Sequence, residues 1–253
     1  MREPVIVVGL GQMGAVFAHA FLRSGHPVIP VNRDTPWSEV TAAAPHPALV
    51  LVAVGEGDLP AVLDAMPAGP RERVGLLQNE LLPRDWEEAG IARPTVAAVW
   101  FEKKKHTPVR VVRPTVVGGP AAGLVVRALG TIDIAAREVP FGEPLVHALV
   151  AKNLYILTTN LAGLQVGGTA GSLWDQHREL AEAVARDVLD LQEALVGSPL
   201  PRQALMDEMV EAFHADPDHG CKGRSAPARL TRALAHADTL GLQVPALRAL
   251  PRG

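Results

Sequence analysis

A short β-branched run, Val5–Val8, is followed at once by Gly9, Gly11 and Gly14 in the spacing G-x-G-x-x-G, and then by an apolar-periodic stretch reaching about Arg23. Few short patterns restrict a fold as tightly. The first glycine permits the sharp turn out of a strand, the second lets the backbone come close to a pyrophosphate, and the third lets helix and strand pack together. The helix N-terminus then faces the phosphates with its unpaired N–H groups. Gly25 stops the helix, and Pro27–Val31 reads as the next strand. The glycine spacing alone is weak, but here it sits between a strand and a helix in a unit of the right length, which is its confirming context. The turn, Gly9, Leu10, Gly11, Gln12, Met13 and Gly14, is therefore expected to hold a dinucleotide.

After the second strand come Asn32 and Arg33. A carboxylate at this point binds a ribose 2′-hydroxyl, whereas an arginine accommodates a 2′-phosphate. Asn32 and Arg33 thus favour NADP(H). Asp34 is the competing ribose ligand if the strand runs further.

Ala48–Val54 is another buried strand, "LPAVLDAM" a short amphipathic helix, and "RVGLLQNELL" a strand ending at Gln78 and Asn79. Val96–Val99, Val109–Val112 and Thr115–Val117 add β-rich segments, with Gly/Pro breaks at Gly118–Pro120 and Pro140–Pro144. Alternating strands and helices predict a doubly wound parallel sheet of Rossmann type over residues 1–141, with ligands at the carboxyl ends of its strands. That rule brings Val54, Gly55, Glu56, Asn79 and Glu80 to the cofactor crevice.

From Glu143 the strand signal ends, and residues 142–253 read as an all-helical domain for substrate binding or dimerisation. Its first helix, Leu145–Leu164, is apolar apart from His147, Lys152, Asn153, Asn160 and a few small hydroxyl or aromatic positions, and Lys152 is its only Lys, Arg, Asp or Glu. Asn160 lies about 80° around the helix from Lys152, so both can border one cleft. A lysine held in an apolar cleft is readied to give up its proton, because desolvation disfavours the charged form. The competing reading is a lysine whose stem lies along apolar surface while its amine reaches water. Asn153 is expected to bridge to another element. Ser172, with Asp175 three residues on, is expected to open a helix carrying Leu173, Leu180, Val184, Val188, Leu191 and Leu195 as one stripe. Pro201–Phe213 and Ala228–Leu240 read as two further helices, and Trp174 and His177 as packing or interface residues. In "HADPDHGCKGRS" two His, two Asp and Cys221 fall close together, but their spacing matches no established zinc pattern, so no metal is expected.

The remaining composition narrows the class. A net charge of −3 and one short cationic run, Lys103–Lys105, argue against a nucleic-acid partner. A lysine in the middle of Leu145–Leu164 argues against a membrane span. A single cysteine and a start without a signal-peptide pattern lead to an expected cytoplasmic location. The expected partners are a small carbonyl substrate and, for assembly, at most a second copy of the chain.

With both halves in view, the chain resembles the ketopantoate reductase family, within the 6-phosphogluconate dehydrogenase-like superfamily. The likeness rests on Gly9, Gly11 and Gly14, on Asn32-Arg33, "LVLVAV", Gln78-Asn79, Lys152 with Asn160, and "LGLQVP" near the C-terminus. The resemblance implies an NADPH-dependent reductase of a small 2-oxo acid, with Lys152 as proton donor to the carbonyl, Asn79 and Asn160 beside it, and Arg224, Ser225 or His219 near the substrate. Four positions depart from the family pattern. Gly55 stands where a lysine is expected, Glu80 where a glycine is expected, and Ile156 where an asparagine is expected. "GRSAPARL" lacks the expected glutamate. A β-hydroxyacid dehydrogenase and a protein that binds NADP(H) without turnover remain the alternative readings.

Overall fold

The computed structural model describes residues 2–252. In the first half, β1 (Val5–Val8), α1 (Gln12–Arg23), β2 (Val28–Val31), α2 (Trp37–Ala43), β3 (Leu49–Val52) and α3 (Leu59–Ala65) follow in order, with a 3-10 turn at Glu56–Asp58. Next come α4 (Ala68–Arg71), β4 (Val74–Leu76), α5 (Pro83–Glu87), β5 (Thr95–Ala98), β6 (Phe101–Glu102), β7 (Arg110–Val111), β8 (Thr115–Gly118), α6 (Ala122–Gly130) and β9 (Ala136–Val139). Seven of these strands form one sheet in the order β2-β1-β3-β4-β5-β8-β9, while β6 and β7 pair as a separate two-stranded ribbon.

The chain starts in β1, passes through α1 to β2 on one side, and then crosses to β3 on the other. That reversal makes the carboxyl ends of β1 and β3 the switch point where such sheets bind ligands. β1, β3, β5 and β8 are buried along their whole lengths, as expected of strands covered on both faces. Val16, Phe17, Ala18, Ala20 and Phe21 of α1, with Val125, Ala128 and Leu129 of α6, form a core against the sheet.

The sheet departs from the expected all-parallel arrangement at one pair: β5 and β8 are antiparallel. The chain returns from β5 through the β6–β7 ribbon, with no crossover helix, and only an antiparallel neighbour can be reached that way. α6 then supplies a crossover, and β9 lies parallel to β8. The β9 edge strand escapes a pattern-based reading because Arg137 and Glu138, its middle residues, are both exposed.

The second half comprises α7 (Glu143–Val166), α8 (Ala170–Gln176), α9 (Arg178–Val196), α10 (Arg202–Ala215), α11 (Ala226–Leu240) and α12 (Pro245–Ala249). The chain divides into two compact units between Ala148 and Leu149, inside α7. From Ala148 to Gly163 every α7 residue is buried except Ile156, which is half-exposed. A helix apolar on all sides is a buried helix.

The expected single helix opening at Ser172 is two helices, α8 and α9, with His177 between them at φ −135°. Ser172 is not the cap. Thr169 is, and the two form a reciprocal pair: Thr169 N–H donates to Ser172 Oγ at 2.8 Å and Ser172 N–H donates to Thr169 Oγ1 at 3.3 Å. Trp174 packs on Phe213 with ring centroids 5.8 Å apart, and the Arg178 guanidinium lies over the Trp174 ring at 4.4 Å. α12, too short to show a period, is capped by Asp187 of α9, whose Oδ2 accepts the Leu247 N–H at 3.0 Å.

Candidate active site

The glycine turn separates into parts with different duties. Gly9 has φ +89°, and a Cβ there would meet the Ala53 carbonyl oxygen and Val54 Cγ1, both at 3.0 Å. A Cβ on Gly14 would lie 1.9 Å from the Gly9 carbonyl oxygen, so α1 and β1 can approach only through a glycine. Gly11 is different. It is the N-cap of α1 with φ −66°, which any residue adopts, and a Cβ there would meet nothing within 4 Å. The protein's own packing therefore explains Gly9 and Gly14 but leaves Gly11 facing empty space at a helix N-terminus. A pyrophosphate fits there: open backbone, unpaired N–H groups and a helix with no acidic residue in its first turn. Leu10 is 42% exposed beside it, Gln12 is exposed and Met13 half-buried.

At the end of β2, Asn32 and Thr35 close a turn. The Asn32 N–H donates to Thr35 Oγ1 at 3.0 Å, and the Thr35 N–H donates to the Asn32 carbonyl at 3.1 Å. That turn presents Arg33 and Asp34 as exposed neighbours, so both remain available to a ribose or its phosphate.

The ends of β3 and β4 are tied together by a residue whose bracing role the sequence did not reveal. Gln78 is buried, and its Nε2 donates to the carbonyls of Val52 at 2.8 Å and Val54 at 3.2 Å, while its Oε1 accepts the Leu77 N–H at 3.1 Å. Gln78 is thus a brace. Its neighbour Asn79 is half-buried and donates from Nδ2 to Glu56 Oε1 at 3.2 Å, joining the two strand ends at the crevice. Glu80 follows with φ +64°, a left-handed conformation that favours glycine. The position keeps the backbone of a glycine while carrying a carboxylate.

In the second unit, Lys152 is only 4% exposed, which leaves little of its ammonium to bulk water. That burial goes against a stem-in, head-out lysine. Lys152, Ile156 and Asn160 follow one another at four-residue steps, so they drift only about 40° per step around α7. Ile156, the middle member, is the half-exposed one. Asn153 turns elsewhere and donates from Nδ2 to Gln192 Oε1 at 3.0 Å, bridging α7 to α9.

Asn160 is engaged with its own unit. Its Oδ1 accepts from Arg229 Nη1 at 2.8 Å, and a Cβ on Gly223 would lie 2.7 Å from the same oxygen. Asn160 therefore anchors the segment before α11. That segment reaches α7 again at Gly163, where a Cβ would strike the Cys221 backbone at 2.7 Å. Cys221 is buried beneath this contact, and burial pushes its thiol up to about 11. Arg224 and Ser225, expected near the substrate, are exposed residues of the turn leading into α11. The buried cation of the segment is instead Arg229, 7% exposed. Its signal was readable: Ala226, Arg229, Leu230 and Ala233 fall on one helical stripe, and the arginine sits within it. The His219 ring lies tilted against Tyr155, centroids 5.9 Å apart, and its Nδ1 approaches Asp216 Oδ2 at 3.6 Å.

No family model matches the chain, and no curated protein does. Solved structures do share its fold. A PanE/ApbA family ketopantoate reductase from Ralstonia eutropha JMP134 is 17% identical with a TM-score of 0.69, over 97% of this chain and 95% of that one. The 2-dehydropantoate 2-reductase of Methylococcus capsulatus is 13% identical with a TM-score of 0.68, over 97% and 94%. A D-mandelate dehydrogenase in complex with NADH is also 13% identical at 0.68, over 97% and 95%. Across nearly its whole length, the chain has the fold of ketopantoate reductases: a mostly parallel Rossmann-type sheet followed by a helical domain.

Proposed function

We propose that the chain is a nicotinamide-dependent oxidoreductase that reduces a small 2-oxo acid or related carbonyl compound, with NADPH as its cofactor. The observation that carries the reading is Lys152, a lysine 4% exposed in the middle of a helix buried on nearly all sides. An ammonium is seldom placed in such surroundings without a task. The fold supports it, since the neighbours include 2-dehydropantoate 2-reductases and a mandelate dehydrogenase seen with NADH.

The dinucleotide supplies the hydride when bound. The chain's own residues do the rest. Gly11 and the first N–H groups of α1 receive the pyrophosphate, Val54 borders it beside Gly9, and Arg33 with Asn32 meets the 2′-phosphate. Asn79, braced by Glu56, offers a hydrogen bond near the reacting end. Lys152 Nζ donates a proton to the carbonyl oxygen as that oxygen gains negative charge. Asn160 is a positioning residue, holding Arg229 and the segment before α11.

The test is NADPH oxidation by the purified protein against 2-oxo acids, β-keto acids and neutral ketones, repeated with Lys152→Ala. Turnover on at least one compound is expected, falling about 10²- to 10⁴-fold in the variant while NADPH affinity is kept. Unchanged turnover removes the proton-donor role. NADPH binding without oxidation of any compound means a binding protein instead.

A further inference from the structure

The strongest concentration of charge in the chain lies on the β6–β7 ribbon. Residues 101–113, "FEKKKHTPVRVVR", hold Lys103, Lys104, Lys105, Arg110 and Arg113 against one carboxylate, Glu102. That is a net +4 in a chain whose total is −3, so the remaining residues carry −7. Such segregation sets up a local field rather than a generally soluble surface.

The topology places this charge at the ligand edge of the sheet. β5 runs parallel to β4, which is parallel to β3 and through it to β1. Its carboxyl end therefore opens on the same edge as the glycine turn, Val54 and Asn79. The ribbon leaves that end after only Val99 and Trp100.

Its root is firmly held. The Trp100 N–H donates to Thr115 Oγ1 at 3.2 Å, the Trp100 carbonyl accepts the Val112 N–H at 2.8 Å, and Arg113 lies over the Trp100 ring at 5.6 Å. Phe101 is buried against Phe17 of α1, ring centroids 5.8 Å apart. Phe17 stands five residues into α1, about 8 Å along the axis from its first residue, at 1.5 Å per residue. The root of the ribbon is thus packed on the second turn of α1, the helix whose N-terminus carries Gly11. Beyond the root the lysines face outward. Lys104 and Lys105 are exposed, Lys104 is paired with Glu102 at 3.2 Å, and Lys103 Nζ donates to the Thr107 carbonyl.

We propose that the β6–β7 ribbon is an anion-binding lip of the active site, taking a group of two or more negative charges, phosphate or carboxylate. It deepens the oxidoreductase reading. The group has two possible sources, the dinucleotide's own phosphates or an anionic tail on the substrate distant from its carbonyl.

The probe is inorganic pyrophosphate, titrated calorimetrically at about 0.02 M and about 0.5 M salt, across which screening rises steeply. The comparison variant is Lys104→Gln/Lys105→Gln, which leaves Trp100, Phe101 and Phe17 in place. The variant is expected to bind pyrophosphate about 3- to 10-fold more weakly at low salt, the gap closing at high salt. Equal affinity of the two proteins at low salt overturns the proposal. Repeating the titration on NADPH-saturated protein separates the sources. A lysine-dependent signal that persists assigns the lip to a substrate tail, and one that vanishes assigns it to the dinucleotide. Neither titration needs turnover, so failure of the oxidoreductase reading leaves this result legible.

Discussion

Arg33 and Glu80 show how much one side chain can decide at the ligand edge. Arg33 is exposed on a turn fixed by Asn32 and Thr35, and in the proposed NADPH reading its guanidinium gains far more from a 2′-phosphate than from a 2′-hydroxyl. Arg33→Ala is therefore expected to weaken NADPH binding by about 10- to 150-fold, the value of a charge-assisted contact, and to leave NADH almost unaffected. Fluorescence titration of both cofactors checks this, and equal losses would make Arg33 structural only. Glu80 was legible from the sequence as a residue standing where the family resemblance expects a glycine. The structure adds the reason it matters: φ is +64°, so the backbone still adopts the glycine conformation. A non-glycine residue pays about 1 kcal/mol or more for that region. Part of the cost returns with the looser unfolded chain of a glycine variant. Glu80→Gly is expected to raise stability by about 0.5–1 kcal/mol, read as a higher urea midpoint with unchanged slope. A lower midpoint would mean that the contacts of the Glu80 carboxylate outweigh the backbone strain.

Helix α7 shows what periodicity reveals and what it hides. Its length, its burial and the presence of Lys152 and Asn160 in an apolar stretch were all readable, because they depend on residue type along one segment. The partner of Asn160 was not, since Arg229 is far away in sequence and reaches it only through the fold of α11. The α8–α9 break was hidden for a related reason. The apolar stripe continues across His177, while the Thr169–Ser172 cap that fixes the start is a side-chain geometry. The close approach of α7 to the Cys221 segment has a measurable consequence. Burial pushes the thiol up to about 11 from an ordinary 9.0. A raised pKa favours the protonated folded state, so its contribution is complete below pH 9 and is lost as pH rises towards 11. The loss is on the order of 2–3 kcal/mol as an upper bound. Denaturant melts from pH 8 to 11 are expected to fall by more for the parent than for Cys221→Ala. Parallel curves for the two proteins would count against a desolvated thiol.

Over the whole molecule, the sheet-plus-helices plan was legible because glycine spacing and buried strands are local signals. The antiparallel β5–β8 pair was not, because strand direction depends on whether a connection contains a crossover helix, and the β6–β7 ribbon reads locally as ordinary strand. The carboxyl-end rule put Val54, Glu56 and Asn79 at one edge, where Asn79 bonds Glu56, while the bracing role of Gln78 emerged only from its bonds to Val52 and Val54. The three glycines of the turn differ in a way that outlasts the question of which ligand they serve. Gly9 and Gly14 are in contact with the rest of the protein, whereas Gly11 borders only open volume. Bulk introduced at Gly11 takes space from a visitor and none from the core. The fold thus contains its own control reagent, in which a single position separates being folded from being occupied.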